Sequence, residues 1–198
     1  EKWGNGLLGP VTLGPTISVA LPHPLNFGAE GRLWRHLGFA IDYGFLPEFT
    51  VFDAKVKMTS FDARVRVFPF GGSFFLGSSF GKQSITGTRA ITTTVSGQSV
   101  TADVALDAGT TFATPTLGWR WGGRKGFVFG IDLGVQLVMS STSNLNMTIT
   151  NQPAGITAAQ VESTAEYRDA RTKVEDVGSK VASQTLPAFT ILHIGYLF

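Results

Sequence analysis

Residues 127–139 read FVFGIDLGVQLVM. Every odd position is large and apolar: Phe127, Phe129, Ile131, Leu133, Val135, Leu137 and Met139. The even positions carry Gly130, Asp132, Gly134 and Gln136 between two valines. A period of two is the mark of a strand, because successive side chains leave opposite faces. One face here is continuously apolar and aromatic; the other holds a carboxylate, an amide and glycines. A soluble sandwich strand also has one apolar face. The charge content of the whole chain separates the two cases: only 15% of the 198 residues are charged, against roughly 25% in soluble domains. The stretch reads as a lipid-facing barrel strand.

Working outward, the same alternation recurs seven more times. Thr16–Leu21, Leu25–Leu33, Leu37–Phe45 and Lys55–Phe68 precede two longer runs, Phe74 to about Val95 and Val100–Trp121. The quoted stretch continues its period through Leu145, Met147 and Ile149, and Leu186–Phe198 closes the series. A phase shift is expected near Asp107 to Thr111, where Gly109 points to a bulge. Pro47 is expected to end the third strand. The connections alternate between tight turns (Arg35-His36, Pro69–Ser73, Gly122–Gly126) and longer ones (Pro22–Pro24, Glu48–Ala54, the tip near Gly97, Asn151–Gln184). Short turns on one side and longer loops on the other follow the rule for membrane barrels. The chain is therefore expected to be a single domain, 1–198: an all-β, eight-stranded antiparallel transmembrane β-barrel. Strands five to seven are about twice the 9–11 residues a bilayer requires and are expected to extend on the outside.

The last loop, 152–183, changes character. Thr157 to Gln160 fits a capping box. Tyr167, Ala170, Val174, Val177 and Val181 form a helical stripe, and Asp169 with Lys173 and Asp176 with Lys180 are favourable i,i+4 pairs. A helix from about Ala158 to about Lys180 is expected, with an irregular loop as the alternative. Its stripe is expected to pack on the wall or over the mouth.

The chain ends with Leu192, Ile194, Gly195, Tyr196 and Phe198, an amphipathic strand finishing on an aromatic residue. Here, and in its strand pattern as a whole, the sequence resembles the small outer-membrane barrels of Gram-negative bacteria, the OmpA/OmpX/OmpW type. The resemblance implies a place in the bacterial outer membrane at the cell surface, with both termini periplasmic. It further implies outer-membrane lipid and the barrel-assembly machinery as partners, with Ile194, Tyr196 and Phe198 as the assembly signal. It carries over no activity. The aromatics Trp34, Phe68, Phe70, Trp119, Trp121, Phe127, Tyr196 and Phe198 fall near the short-turn end, as an interfacial girdle does, and Tyr43 and Phe45 mark the opposite interface.

Inward positions supply the candidate site. Glu30, Asp42, Asp62 and Asp132 face Arg32, Arg64, Arg66 and Arg120, four acids against four bases. An eight-stranded barrel has an interior about wide enough for its own side chains to fill, and an unpaired charge there costs several kcal/mol. An ion-pair network that plugs the lumen is expected; a narrow solute path lined by the same residues is the alternative. The three histidines, His23, His36 and His193, lie at different depths, so no metal site is expected, and no cofactor motif is present. A Ser/His/acid site needs three groups within hydrogen-bond reach, and no serine and acid can be placed beside His23. With no cysteine and a net charge of +2 without a basic run, thiol chemistry is excluded and nucleic acid is not expected as a partner. Three functions remain open: a non-enzymatic barrel presenting its wall and helix to an extracellular protein or to its own copies; an entry route for a small or apolar solute, gated by the last loop; and a lipid-modifying enzyme using His23.

Overall fold

The computed structural model describes residues 11–51, 54–95, 97–123, 125–151, 155, 157–169, 171–172 and 184–198. The strands are β1 (Thr12–Leu21), β2 (Leu25–Leu33), β3 (Leu37–Val51), β4 (Ala54–Val67), β5 (Phe74–Val95), β6 (Gln98–Gly122), β7 (Gly126–Asn151) and β8 (Leu186–Leu197). Each pairs antiparallel with its sequence neighbours, and β1 pairs with β8, so the sheet is a closed barrel. Closure leaves no open edge in the bilayer, the condition for a sheet to exist there. At the seam Gly14 is required: a Cβ on it would lie 1.7 Å from the Tyr196 carbonyl oxygen.

Within the barrel the apolar side chains point out. Ile17, Phe27, Ile41, Tyr43, Phe61, Val65, Leu76, Phe80, Leu117 and Leu133 are all exposed, a belt whose solvent is lipid. Their strand neighbours Asn26, Glu30, Asp42, Ser60, Asp62, Arg66, Ser79, Arg120, Asp132 and His193 are buried inside. Trp34, Phe70, Trp119, Trp121, Phe127, Tyr196 and Phe198 are exposed at the short-turn end. Phe127, Tyr196 and Phe198 form a continuous edge-to-face cluster there, with ring centroids 5.1 and 5.3 Å apart.

The bulges sit elsewhere than the alternation implies. β5 and β6 stay in one continuous register from Phe74↔Trp119 to Val95↔Gln98, and the even residues of β6 face inward throughout. The shift lies in the β6–β7 ladder, between Thr111 and Phe112, and the extra residue is Met139 on β7, not Gly109 on β6. Below it Val138 opposes Phe112; above it Leu145 opposes Leu106 and Met147 opposes Val104. Odd residues of β7 therefore face lipid up to Leu137 and face inward from Leu145 upward. A second bulge on β8 lies at Ile191–Leu192 and puts Thr190 on the same inner side as His193, not on the opposite face. Pro47 does not end β3: it falls in a register shift between Leu46 and Phe49, and pairing resumes to Val51.

The tall wall of β5, β6 and β7 thus inverts its polarity. Its outer face is Thr86, Thr92, Thr101, Asp103, Asp107, Thr142, Asn144, Asn146 and Thr150, linked across strands: Thr86 donates to Asp107 at 2.9 Å, Asn146 donates to Asp107 at 3.5 Å and Thr150 donates to Asp103 at 2.9 Å. Its inner face is apolar along β6, with Val100, Ala102, Val104, Leu106 and Ala108 buried. Residues 157–162 of the last loop cover the top of this face. Helix α1 (Ala158–Glu162) starts with the capping box at Thr157 and Gln160, and Val161 packs fully buried against Val95 and Val100, with Met147 and Ile149 alongside.

The expected helix is not continuous. After α1 the chain turns at Ser163 and Thr164 and becomes helical again at 165–169. The Ser163 and Thr164 hydroxyls donate to the carbonyls of Gln160 and Val161, each at 2.7 Å, and the Thr164 hydroxyl accepts from Tyr167 N at 3.3 Å. These side chains compete for the backbone groups that would continue α1. Tyr167 is buried; Ala170, Val174, Val177 and Val181 lie outside the described residues.

Candidate functional site

The lumen is filled by side chains from almost every strand, arranged in levels. The outermost level is set by the Pro22–Pro24 turn, which drops His23 into the mouth. Its Nε2 lies 3.0 Å from Gln83 Oε1, and Gln136 Nε2 donates to the same oxygen at 3.0 Å. The imidazole also leans on Phe112, with centroids 5.7 Å apart. Burial holds the His23 pKa below its ordinary value, opposed by the hydrogen bond to Gln83.

Below it Arg64 gathers three carboxylates. Its guanidinium lies 3.5 Å from Asp132, 3.6 Å from Asp42 and 3.7 Å from Asp62. These are ion-pair distances, at or beyond the limit of a good hydrogen bond. Asp132 is also fixed by a short 2.7 Å bond from the Thr190 hydroxyl, which the β8 bulge brings inward.

The third level is centred on one atom, Glu30 Oε2. Arg66 Nη1 donates to it at 3.1 Å, Arg120 Nη2 also donates to it, and His193 Nε2 stands 3.3 Å away. The four residues come from β2, β4, β6 and β8, alternate strands of the barrel, so they meet across the lumen. Each is at most 6% exposed. Alternate strands contributing one layer is what the stagger of a closed barrel imposes.

Seven of the eight charged residues singled out from the sequence come together in these two clusters; Arg32 does not. It sits at the short-turn end, donating to the carbonyls of Arg35 and Gly72 at 3.0 and 3.2 Å, with its guanidinium 4.0 Å from the Phe68 ring centroid. The clusters are unequal in charge. Three acids surround one arginine on the loop side, and two arginines hold one acid on the turn side. Sequence reasoning left Gln83, Gln136 and Thr190 out of the network and read His193 only as a hydrogen-bonding residue of the lumen. Gln83, Gln136 and His193 occupy inward, polar positions, but nothing local marks which inward residues share a depth; Thr190 falls on the outward face of the alternation and comes inside only through the β8 bulge.

Space remains on both sides of the charged levels. A small pocket of about 40 Å³ lies between His23, Arg64, Phe112, Asp132 and Gln136. Another of about 20 Å³ lies under Glu30, between Arg32, Arg66, Phe68 and Arg120. Ile194, Tyr196 and Phe198 take no part in the lumen and face the lipid side of β8.

No protein-family model and no curated protein matches the sequence. Among the solved structures that match are two that do so over nearly their whole length. The crystal structure of Acinetobacter baumannii CarO2 is 11% identical, covering 98% of this chain and 100% of that one, with a TM-score of 0.53. The crystal structure of Acinetobacter baumannii CarO is 13% identical, covering 93% and 97%, with a TM-score of 0.47. At such identities the likeness is one of fold, and with the pairing of all eight strands it makes the chain an eight-stranded antiparallel β-barrel.

Proposed function

We propose that this is a non-enzymatic barrel of the bacterial outer membrane whose lumen is sealed by its charges and whose work lies on the long-loop side. That side is the cell exterior and the short-turn end, with both termini, is periplasmic, as short periplasmic turns and longer outer loops characterise such barrels. The observation that carries the sealed lumen is the convergence of Glu30, Arg66, Arg120 and His193, from four alternate strands, on one buried carboxylate oxygen. The Arg64 cluster closes a second level above it. What remains for solvent-side work is the polar outer face of the β5–β7 wall and the loop over its apolar inner face. A wall rising about 40 Å along β7 beyond Met139, at roughly 3.3 Å per residue, is a surface for an extracellular protein or a second copy.

A second reading is supported by the cavities above and below the charged levels: a gated entry route, in which the last loop is the lid over an apolar vestibule. Single-channel conductance in planar bilayers separates the two, using the full chain and a variant lacking 152–183. Silence from both forms is expected. Conductance only after deletion makes the loop a gate, and steady conductance from the intact chain overturns the sealed lumen. The enzymatic reading has less support, because the His23 ring is engaged by Gln83 and Phe112 rather than by a serine and an acid.

A further inference from the structure

Cations on the strands are sorted by type. Arg32, Arg64, Arg66, Arg89 and Arg120 occupy inward positions, in phase with the buried residues of their strands. Lys55, Lys57 and Lys82 occupy outward, exposed positions on the adjacent strands β4 and β5. They stand above the last outward aromatics of their own two strands. Phe61, 55% exposed, is the register partner of Lys82, and Phe80, 59% exposed, lies two residues below Lys82 on the same strand. Upward, Thr59 opposes Ser84 and Lys57 opposes Thr86. This is the level at which the outer face passes from apolar to polar, the upper border of the lipid belt.

Lys55 is tied to Glu48 at 3.4 Å. Lys57 and Lys82 have no acidic partner among the described residues. The outward acid on the neighbouring strand, Asp107, already accepts from Thr86 and Asn146. Four residues along the strand and one strand across place the Lys57 and Lys82 Cα atoms about 14 Å apart, from the standard rise and spacing of a sheet. The hydroxyls of Thr59, Ser84 and Thr86 lie between them. Two free ammonium groups suit phosphates, for which lysine acts as a point charge; the hydroxyls suit a sugar, and Phe61 and Phe80 suit the acyl chains beneath. A zwitterionic headgroup would instead bring a cation against the lysines.

Building on the outer-membrane reading with the long-loop end outward, we infer that Lys57, Thr59, Lys82 and Ser84 form a binding site for the phosphorylated headgroup of an outer-leaflet glycolipid. The test is native mass spectrometry of the full chain from non-ionic detergent micelles doped with a bisphosphorylated diglucosamine glycolipid, or with its dephosphorylated form. K57Q, K82Q and the double variant are compared with wild type. A basic residue near a membrane surface contributes about fivefold in binding, so each substitution lowers retention about fivefold and the pair roughly twenty-five-fold. The dephosphorylated lipid is retained by wild type only as weakly as the phosphorylated lipid is by the double variant. Equal retention by wild type and double variant, or equal retention of the two lipids, overturns the site. Insertion of wild type into phospholipid vesicles, read by heat-modifiable gel migration, is scored separately: failure there overturns the membrane reading, and the site with it.

Discussion

Glu30→Gln is the sharpest perturbation of the lumen. Glu30 Oε2 accepts from Arg66 at 3.1 Å and from Arg120, and all three residues are at most 6% exposed. Glutamine keeps the length of the side chain and one acceptor oxygen but removes the charge, leaving two guanidinium groups facing each other across the barrel. Removing one partner of a buried ion pair costs about 3–5 kcal/mol, because the stranded charge keeps its desolvation penalty. With a urea dependence of roughly 2 kcal/mol per molar, the unfolding midpoint in phospholipid vesicles, followed by tryptophan fluorescence, is expected to fall by about 2 M. Part of the loss is recovered in Glu30→Gln combined with Arg120→Gln, since the second change removes one stranded charge; the coupling between the two sites is expected to exceed about 1 kcal/mol, within the usual range for residues in direct contact. A midpoint within about 0.3 M of wild type, with unchanged slope, would refute the view that this contact holds the lumen together.

Around Arg64 the sign depends on which acid is changed. Asp62→Asn, at the longest of the three contacts, 3.7 Å, relieves repulsion among three carboxylates and is expected to be neutral or stabilising. Asp132→Asn weakens a 2.7 Å bond from Thr190 as well as an ion pair, and loses about 1.5–3 kcal/mol in the same assay. Val161→Asp removes the apolar contact of α1 with Val95 and Val100, about 2 kcal/mol for a buried valine, before the cost of burying a carboxylate; limited proteolysis is expected to cut within 157–172 while the barrel keeps its gel migration. His23 has a folded-state pKa depressed mainly by burial, so the unfolded chain takes up its proton first. Its stabilising contribution is complete above the ordinary imidazole value of 6.5 and is lost as pH falls below it. The difference in stability between wild type and His23→Gln is therefore expected to shrink toward acid, and a pH-independent difference would contradict the burial.

The period of two made the strands and the barrel legible, because lipid outside and packed charge inside demand opposite faces all the way round. Bulges escape that reading. Met139 adds one residue, and the five polar residues Ser140–Asn144 that follow carry no apolar phase, so the odd-numbered apolar positions resume at Leu145 in the same parity while the structure has moved Leu145, Met147 and Ile149 from the lipid side to the inner side. The β8 bulge hides Thr190 in the same way. The inward charges were legible as a set, but their partners were not: depth is set by the stagger of strands around the ring, which no local spacing records. That is why Arg32, on the same face as Glu30 and two residues from it, ends over Phe68 instead of in an ion pair. The break at Ser163-Thr164 had a local signal, two adjacent hydroxyl residues able to bond back to the preceding turn, outweighed in the reading by the apolar stripe beyond it.

The segregation of arginine from lysine follows from what each side of the wall can solvate. Inside, water is scarce, and a cation must be satisfied by fixed acceptors. The guanidinium does this with a planar array of donors and a weakly held hydration shell: Arg64 reaches three carboxylates, and Arg32 and Arg66 lie against the rings of Phe68 and Phe75 at 4.0 and 5.3 Å. An ammonium in those places would meet fewer acceptors while giving up a tighter shell. At the outer border of the lipid belt the demand is reversed. There a flexible stem lies along apolar surface while the charge stays in water or at a headgroup, which is what lysine provides above Phe61 and Phe80. Exchanging the two types is therefore not conservative on either side: Arg64→Lys loses acceptor contacts that no water replaces, whereas Lys82→Arg keeps its charge at the border and is expected to preserve glycolipid retention.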